Sequence, residues 1–241
     1  MRLRLAFLIL VAVFAAASII LASRTGTFSA EKQPTSQSED RTSLRARVKK
    51  EKAKGAHKVN LPAPLVEYAD EIALDTALSQ TVTVVADVLD KHSRLIDSHN
   101  VGTFYRLRVI ERLSDGACAS PDCNVKDEDF PADLPSIGNH EMYVFGIGGT
   151  VILDGIELTV NEDFDGLRPD GRYLLFVSPS PSGRFGLLQV GPSGVLKLQP
   201  DGKLETIVNQ RSKLARELDK SYGNSFLKLK VEIERRRHSS K

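Results

Sequence analysis

The chain has 241 residues, 27% of them charged and 41% hydrophobic, with five histidines, two cysteines and no tryptophan. Two cysteines exclude a disulfide-dense scaffold. The net charge of +2 is the sum of unequal parts: residues 24–58 carry ten Lys+Arg against four Asp+Glu, residues 203–241 carry eleven against five, and residues 59–202 carry ten against twenty-two, a balance of −12. A nucleic-acid reader places its positive stripe on the folded domain, so the acidic middle argues against a nucleic-acid partner.

In chain order the first element is MRLRLAFLILVAVFAAASIILASR, an uncharged apolar run from Leu5 to Ala22 behind Arg2 and Arg4. Its length is near the minimum for crossing a hydrocarbon core of about 30 Å. The run is long for a signal-peptide core, and Ile20 occupies the minus-three position before Ala22, which favours a signal anchor over a cleaved signal peptide across residues 1–23. The expected location is the cell envelope, with the remainder on the extracytoplasmic side, as a single-pass membrane protein or a secreted one. Residues 24–64 are rich in Ser, Thr, Lys and Pro, a composition that predicts a flexible basic tether.

From Leu65 the text changes to VEYADEIALDTALSQ, with Val66, Ala69, Ala73, Leu74, Ala77 and Leu78 at helical spacing. This predicts a short helix leading into a domain at 65–205. QTVTVVADVLD and TFYRLRVIERL read as strands joined by a polar loop, KHSRLIDSHNVG. Residues 114–141 have no sustained period and read as the longest surface loop. Within it, Cys118 and Cys123 flank Pro121, and in an oxidising compartment that spacing predicts a local disulfide.

MYVFGIGGTVILDGIELTV resumes the strand pattern, and Asp154-Gly155 marks a tight hairpin. RYLLFVSP, RFGLLQV and GVLKLQ complete a set of short strands with turn signals every 8–12 residues. The fold class expected is mainly β, a small antiparallel OB-like barrel with a short leading helix and C-terminal helices. Residues 206–241 form the helical basic tail: LETIVNQRSKLARELDKSYG places Leu204, Ile207, Val208, Leu214 and Leu218 on one helical face. SFLKLKVEIERRRH fits either period, and Ser225 as a cap favours helix.

The motifs that suggest chemistry fail on inspection. FGIGGTV supplies Gly146 and Gly148 but has Val151 where a dinucleotide fingerprint needs its third glycine, and strand pattern follows. NEDFDG places Asn161, Asp163, Asp165 and Gly166 at calcium-loop positions, yet Arg172 stands where the closing carboxylate belongs. Ser193 in VGPSGV has no base near it in sequence, and His92, His99 and His140 are scattered, although His92 and His99 share a loop with Asp90 and Asp97. No catalytic residue, metal ligand or cofactor site is assigned.

LSQTVTVVADVLD, TFYRLRVIERL, GGTVILDG and FDGLRPDGRYLLFVSP, taken together over residues 74–202, resemble a β-barrel module of exported bacterial proteins of unassigned function. The layout is similar to the OB-like barrel of the netrin and tissue-inhibitor-of-metalloproteinase group. That group reaches its target metal with an N-terminal cysteine, which this chain lacks, so inhibition does not carry over. The haem chaperone of cytochrome c maturation is similar in architecture, but its haem-attaching His motif has no counterpart here. The reading is a non-catalytic barrel that binds a protein or envelope partner through its loops, with a ligand or cofactor carrier, or an enzyme with a scattered site, as alternatives.

Overall fold

A computed structural model of the chain describes residues 42–62, 72–115, 125–161, 167–188, 191–207 and 212–239. The N-terminal apolar run, Cys118 and Cys123, and residues 162–166 of the acidic run all lie outside them. Among the described residues no helix is long and apolar enough to cross a membrane.

The architecture is mainly β. Helix α1 (Leu44–Lys52) and strand β1 (Lys58–Leu61) precede α2 (Leu74–Gln80) and a long hairpin of β2 (Val82–Leu95) and β3 (Val101–Arg112). Next come β4 (Glu141–Ile147), β5 (Gly149–Leu153), β6 (Ile156–Val160), β7 (Arg172–Pro179), β8 (Phe185–Leu188), β9 (Val195–Leu198) and β10 (Leu204–Thr206). Helices α3 (Lys213–Tyr222) and α4 (Phe226–Ser239) follow.

Five strands form a ring. β2 pairs antiparallel with β3, β3 with β4 and β7 with β2, while β8 joins β4 in parallel and β7 antiparallel. The one parallel seam, between the third and fifth strands of the ring, gives the connectivity of an OB-like barrel. The ring is partial: β8 holds each neighbour through three residue pairs only, Tyr143 to Phe185 through Phe145 to Leu187 on one side and Val177 to Leu188 through Pro179 to Gly186 on the other. Two register shifts between β2 and β3 leave Ile110 of β3 without a partner opposite Val85/Ala86 and Leu89 of β2 without one between Val88 and Asp90; such bulges bend a strand enough to curl a small sheet. The interior is filled by alternate residues of β2, β3, β4 and β7, among them Val84, Val88, Tyr105, Leu107, Val144 and Leu175, all buried, with the partly buried Leu188 of β8 packed against them.

Among the described residues three further clusters lie outside the ring. Helices α2, α3 and α4 pack Leu78, Leu214, Leu218 and Leu229 against Val85, Leu174 and Phe176. A small sheet of order β1-β6-β5 forms a second core with α1. Its hairpin turns at Asp154 (φ 52°) and Gly155 (φ 78°), the two positive values that a type I′ turn requires. Between β4 and β5 the chain bends at Gly148 (φ 98°) and Gly149 (φ 127°), and a side chain at Gly149 would fall 2.2 Å from Thr103 Oγ1. Gly148 and Gly149 of FGIGGTV therefore serve a bend between strands, while Gly146 lies within β4.

Several expectations are corrected. The flexible tether is folded from residue 42 to 62: Ser43 caps α1 by accepting from the Ala46 amide, and Leu44 and Val48, one turn apart, are buried. A stripe two residues wide suffices because it lies on an existing apolar surface, including Val59 and Leu158. The polar loop between the first two strands is mostly ladder, since Lys91 to Leu95 pair with Tyr105 to Val101 and only residues 96–100 turn. Within the described residues the leading helix spans Leu74–Gln80, with Ala73 as its cap, and the more N-terminal part of that expectation lies outside them. Leu204 belongs to β10 rather than to a helical face, because its strand pairs with β9; the helix begins at Lys213 behind the Ser212 cap.

Candidate functional site

The end of the barrel where β7 leaves and β8 enters gathers three separate pieces of chain. β7 ends at Pro179, residues 180–184 turn into β8, and residues 125–140, between β3 and β4, come to lie alongside. The only regular element in that last segment is one 3-10 turn, Asp127–Asp129. Its position is fixed by side chains. Phe130 stacks on Phe185 with ring centroids 4.2 Å apart and planes 8° off parallel, and it meets Phe104 edge-on at 6.3 Å. Val125 and Leu134 are buried in the same cluster, the Tyr143 hydroxyl donates to the Pro135 carbonyl at 3.2 Å, and Arg94 bonds Asp133.

Asp127 ties the two loops together. Its carboxylate accepts from the hydroxyls of Ser180 and Ser182 and from the Ser182 amide. The Ser180 hydroxyl, then that of Ser182, holds this carboxyl below its ordinary value by bonding the charged form. Gly183 (φ 71°) lets the short loop turn back. Ser180 in turn accepts from the Phe185 amide, so loop, segment and strand share one hydrogen-bond set.

A recess of about 550 Å³ opens at this rim. Its floor is the end of the barrel interior, Val82, Val84, Met142 and Val177, and its edge carries His140, Glu141 and Arg184. Glu141 accepts from the Gly138 amide at 2.9 Å and from Arg106 at 2.8 and 3.0 Å. Those bonds, the amide first, lower its pKa, while burial raises that of the neighbouring Tyr143. The Arg184 guanidinium lies over the Phe185 ring at 5.5 Å.

The residues weighed from sequence do not converge. His92 stands on β2 opposite Phe104, with Nε2 3.1 Å from Asp90 Oδ1. His99 lies in the hairpin turn, bonded to Ser98 and Thr42, where Asp97 accepts from the His99 and Asn100 amides. His140, with φ 63°, precedes β4. Among the described residues no group of three or more His, Cys, Asp or Glu side chains is placed to hold a metal ion. Ser193 sits in the 3-10 turn Gly191–Gly194 before β9. Arg172, at the closing position of the calcium pattern, makes a two-pronged bond to Asp87 at 2.7 and 2.9 Å.

Sequence reasoning missed the whole rim. Its one available signal was the pairing of an acidic run, KDEDF, with a serine-rich turn, SPSPSG, which have complementary acceptors and donors but lie more than fifty residues apart. No protein-family model and no curated protein matches the sequence.

Proposed function

We propose that this protein is a non-catalytic binding module of the cell envelope, held to the membrane by its N-terminal segment, which engages a protein or envelope partner through the loops at the rim. The observation that carries this reading is the tie between Asp127 and residues 180–182, which joins loops from two parts of the chain around one recess. Loops fixed in advance lose less conformational entropy on binding, and barrels of this class bind through loops mounted on a rigid ring.

The full-length chain in native membranes provides the test. A photo-crosslinking residue at Arg184, on the rim, is expected to give a discrete adduct. The same residue at Ile152, which is 71% exposed on β5, is expected to give none. Equal labelling from both positions, or none from Arg184, would remove the rim as the binding surface.

A further inference from the structure

Residues 59–202 contain ten Lys and Arg side chains amid twenty-two carboxylates. In so acidic a segment each cation has acids at hand, and most are engaged. Arg94, Arg106, Arg112, Lys126 and Arg172 form ion pairs. Lys91 and Arg184 lie over aromatic rings, and Arg168 also has a partner. Ten minus these eight leaves Arg108 and Lys197, both exposed, with neither hydrogen bond nor ion pair among the described residues.

These two cations line the same recess, about 800 Å³ in volume, at the end of β7 away from the rim. Their isolation is not for want of nearby carboxylates. Asp87 and Glu141 both stand opposite Arg108 in register, and Glu205 stands opposite Lys197. Each of these acids bonds another group instead: Asp87 takes Arg172, Glu141 takes Arg106 and the Gly138 amide, and Glu205 takes the Gln199 amide. Arg108 acts on Asp87 and Glu141 through its field alone.

The remaining wall has a different chemistry. Asp170, held at φ 64° by its turn, contributes a carboxylate with no bonded partner among the described residues. Leu198, Pro200 and the half-buried Phe226 provide an apolar side. A ligand that suits all three features carries an anionic group for Arg108 and Lys197, hydroxyls to donate to Asp170, and a ring with an apolar face to lie on Phe226. We propose that this recess binds an acidic sugar unit, a sugar bearing a carboxylate or a phosphate. The site is separate from the rim and does not rest on the function proposed for it.

Calorimetric titration of the full-length chain at low ionic strength tests the site, with glucuronate and glucose 6-phosphate as probes and glucose and inorganic phosphate as controls. One charged sugar is expected to bind with a Kd of about 1 mM or tighter, and both controls at least about tenfold more weakly. Which of the two binds identifies carboxylate or phosphate as the anionic group. Arg108→Gln combined with Lys197→Gln is expected to weaken binding about tenfold, and Asp170→Asn about threefold. Both cations are exposed, so an unchanged melting temperature in the double variant locates the loss in the recess. The proposal falls if neither charged sugar binds, if inorganic phosphate binds as tightly as glucose 6-phosphate, or if the folded double variant binds as the parent does.

Discussion

The outer surface of the barrel is covered in two different ways. Over β7, β9 and β10 lie three helices, whose Leu214, Leu218, Leu229 and Ile233 recur at helical spacing and are all buried. Over β3, β4 and β8 lies the segment 125–137, which buries Val125, Phe130 and Leu134 with no period at all. The helices satisfy their own backbone and are then fixed by side-chain ties between elements: Glu217 accepts from the Leu74 amide, Arg236 pairs with Asp75, and Lys230 pairs with Glu111. Backbone bonds within residues 125–137 join Lys126 to Asp129, Asp127 to Phe130 and Pro131 to Leu134, and among the described residues none joins the segment to a strand. Similar apolar burial is thus achieved once by a repeating element and once by individual anchors, and the two should fail differently.

The largest effect belongs to the helical cover. Leu229 is wholly buried between α4 and the sheet, and Leu229→Ala removes its contacts where the packed helices cannot close the gap. A loss of about 2–5 kcal/mol is expected, read as a lower denaturant midpoint with an unchanged slope. A change below about 0.5 kcal/mol, the size of an ordinary surface substitution, would mean that α4 is peripheral and that the contrast between the covers is false.

A smaller and more local effect is expected from Phe130→Ala. The ring is buried against Phe104 and Phe185, but the segment carrying it can lift without breaking a ladder. We expect about 1–2 kcal/mol, roughly what a stacked aromatic pair contributes together with part of its burial. Faster amide exchange confined to residues 125–137 and the β7–β8 loop is the accompanying signature. If Phe130→Ala instead lowers the global midpoint as far as Leu229→Ala does, the segment is as integral to the fold as the helices.

The same contrast explains what could be read from sequence. The barrel strands, the Asp154-Gly155 turn and the terminal helices announce themselves through period 2, positive-φ turn residues and period 3.6. The ring closure at β8 rests on three residue pairs per side, too short a pattern to reveal its partners, and the parallel seam to β4 has no local signature. Residues 42–62 looked like a tether because their apolar residues are few; Leu44, Val48 and Val59 are legible as core only once the sheet beneath them exists. The rim was least legible of all. Asp127 meets Ser180 and Ser182 across more than fifty residues, and neither an acidic run nor a serine turn carries a mark that names its partner. Arg108 and Lys197 stand out only after the carboxylates opposite them in register, Asp87, Glu141 and Glu205, have been assigned elsewhere.

The smallest expected effect compares one carboxylate from each cover. On the helical side Glu232 is held at about 2, first by Arg235 and then by Arg236, both on its own helix. On the other side Asp127 is held below its ordinary 3.8 by two serine hydroxyls and the Ser182 amide. A folded-state pKa below the unfolded one contributes stability that is complete above the unfolded value and is lost as pH falls through the folded value. Both ties therefore weaken only in acid, below pH 3.8 for Asp127 and toward pH 2 for Glu232. Their consequences differ because the Glu232 bonds stay within one helix, whereas protonating Asp127 detaches one loop from another. The Ser182 amide, which donates to Asp127 Oδ2 at 3.2 Å, should report this as a chemical-shift titration with its midpoint below 3.8. Asp127→Asn keeps a carbonyl acceptor but cannot titrate, so the Ser182 inflection should vanish while the melting temperature at neutral pH moves little. An inflection that survives Asp127→Asn would show that another titrating group governs the Ser182 amide, and Asp127 would then not be the tie between the loops.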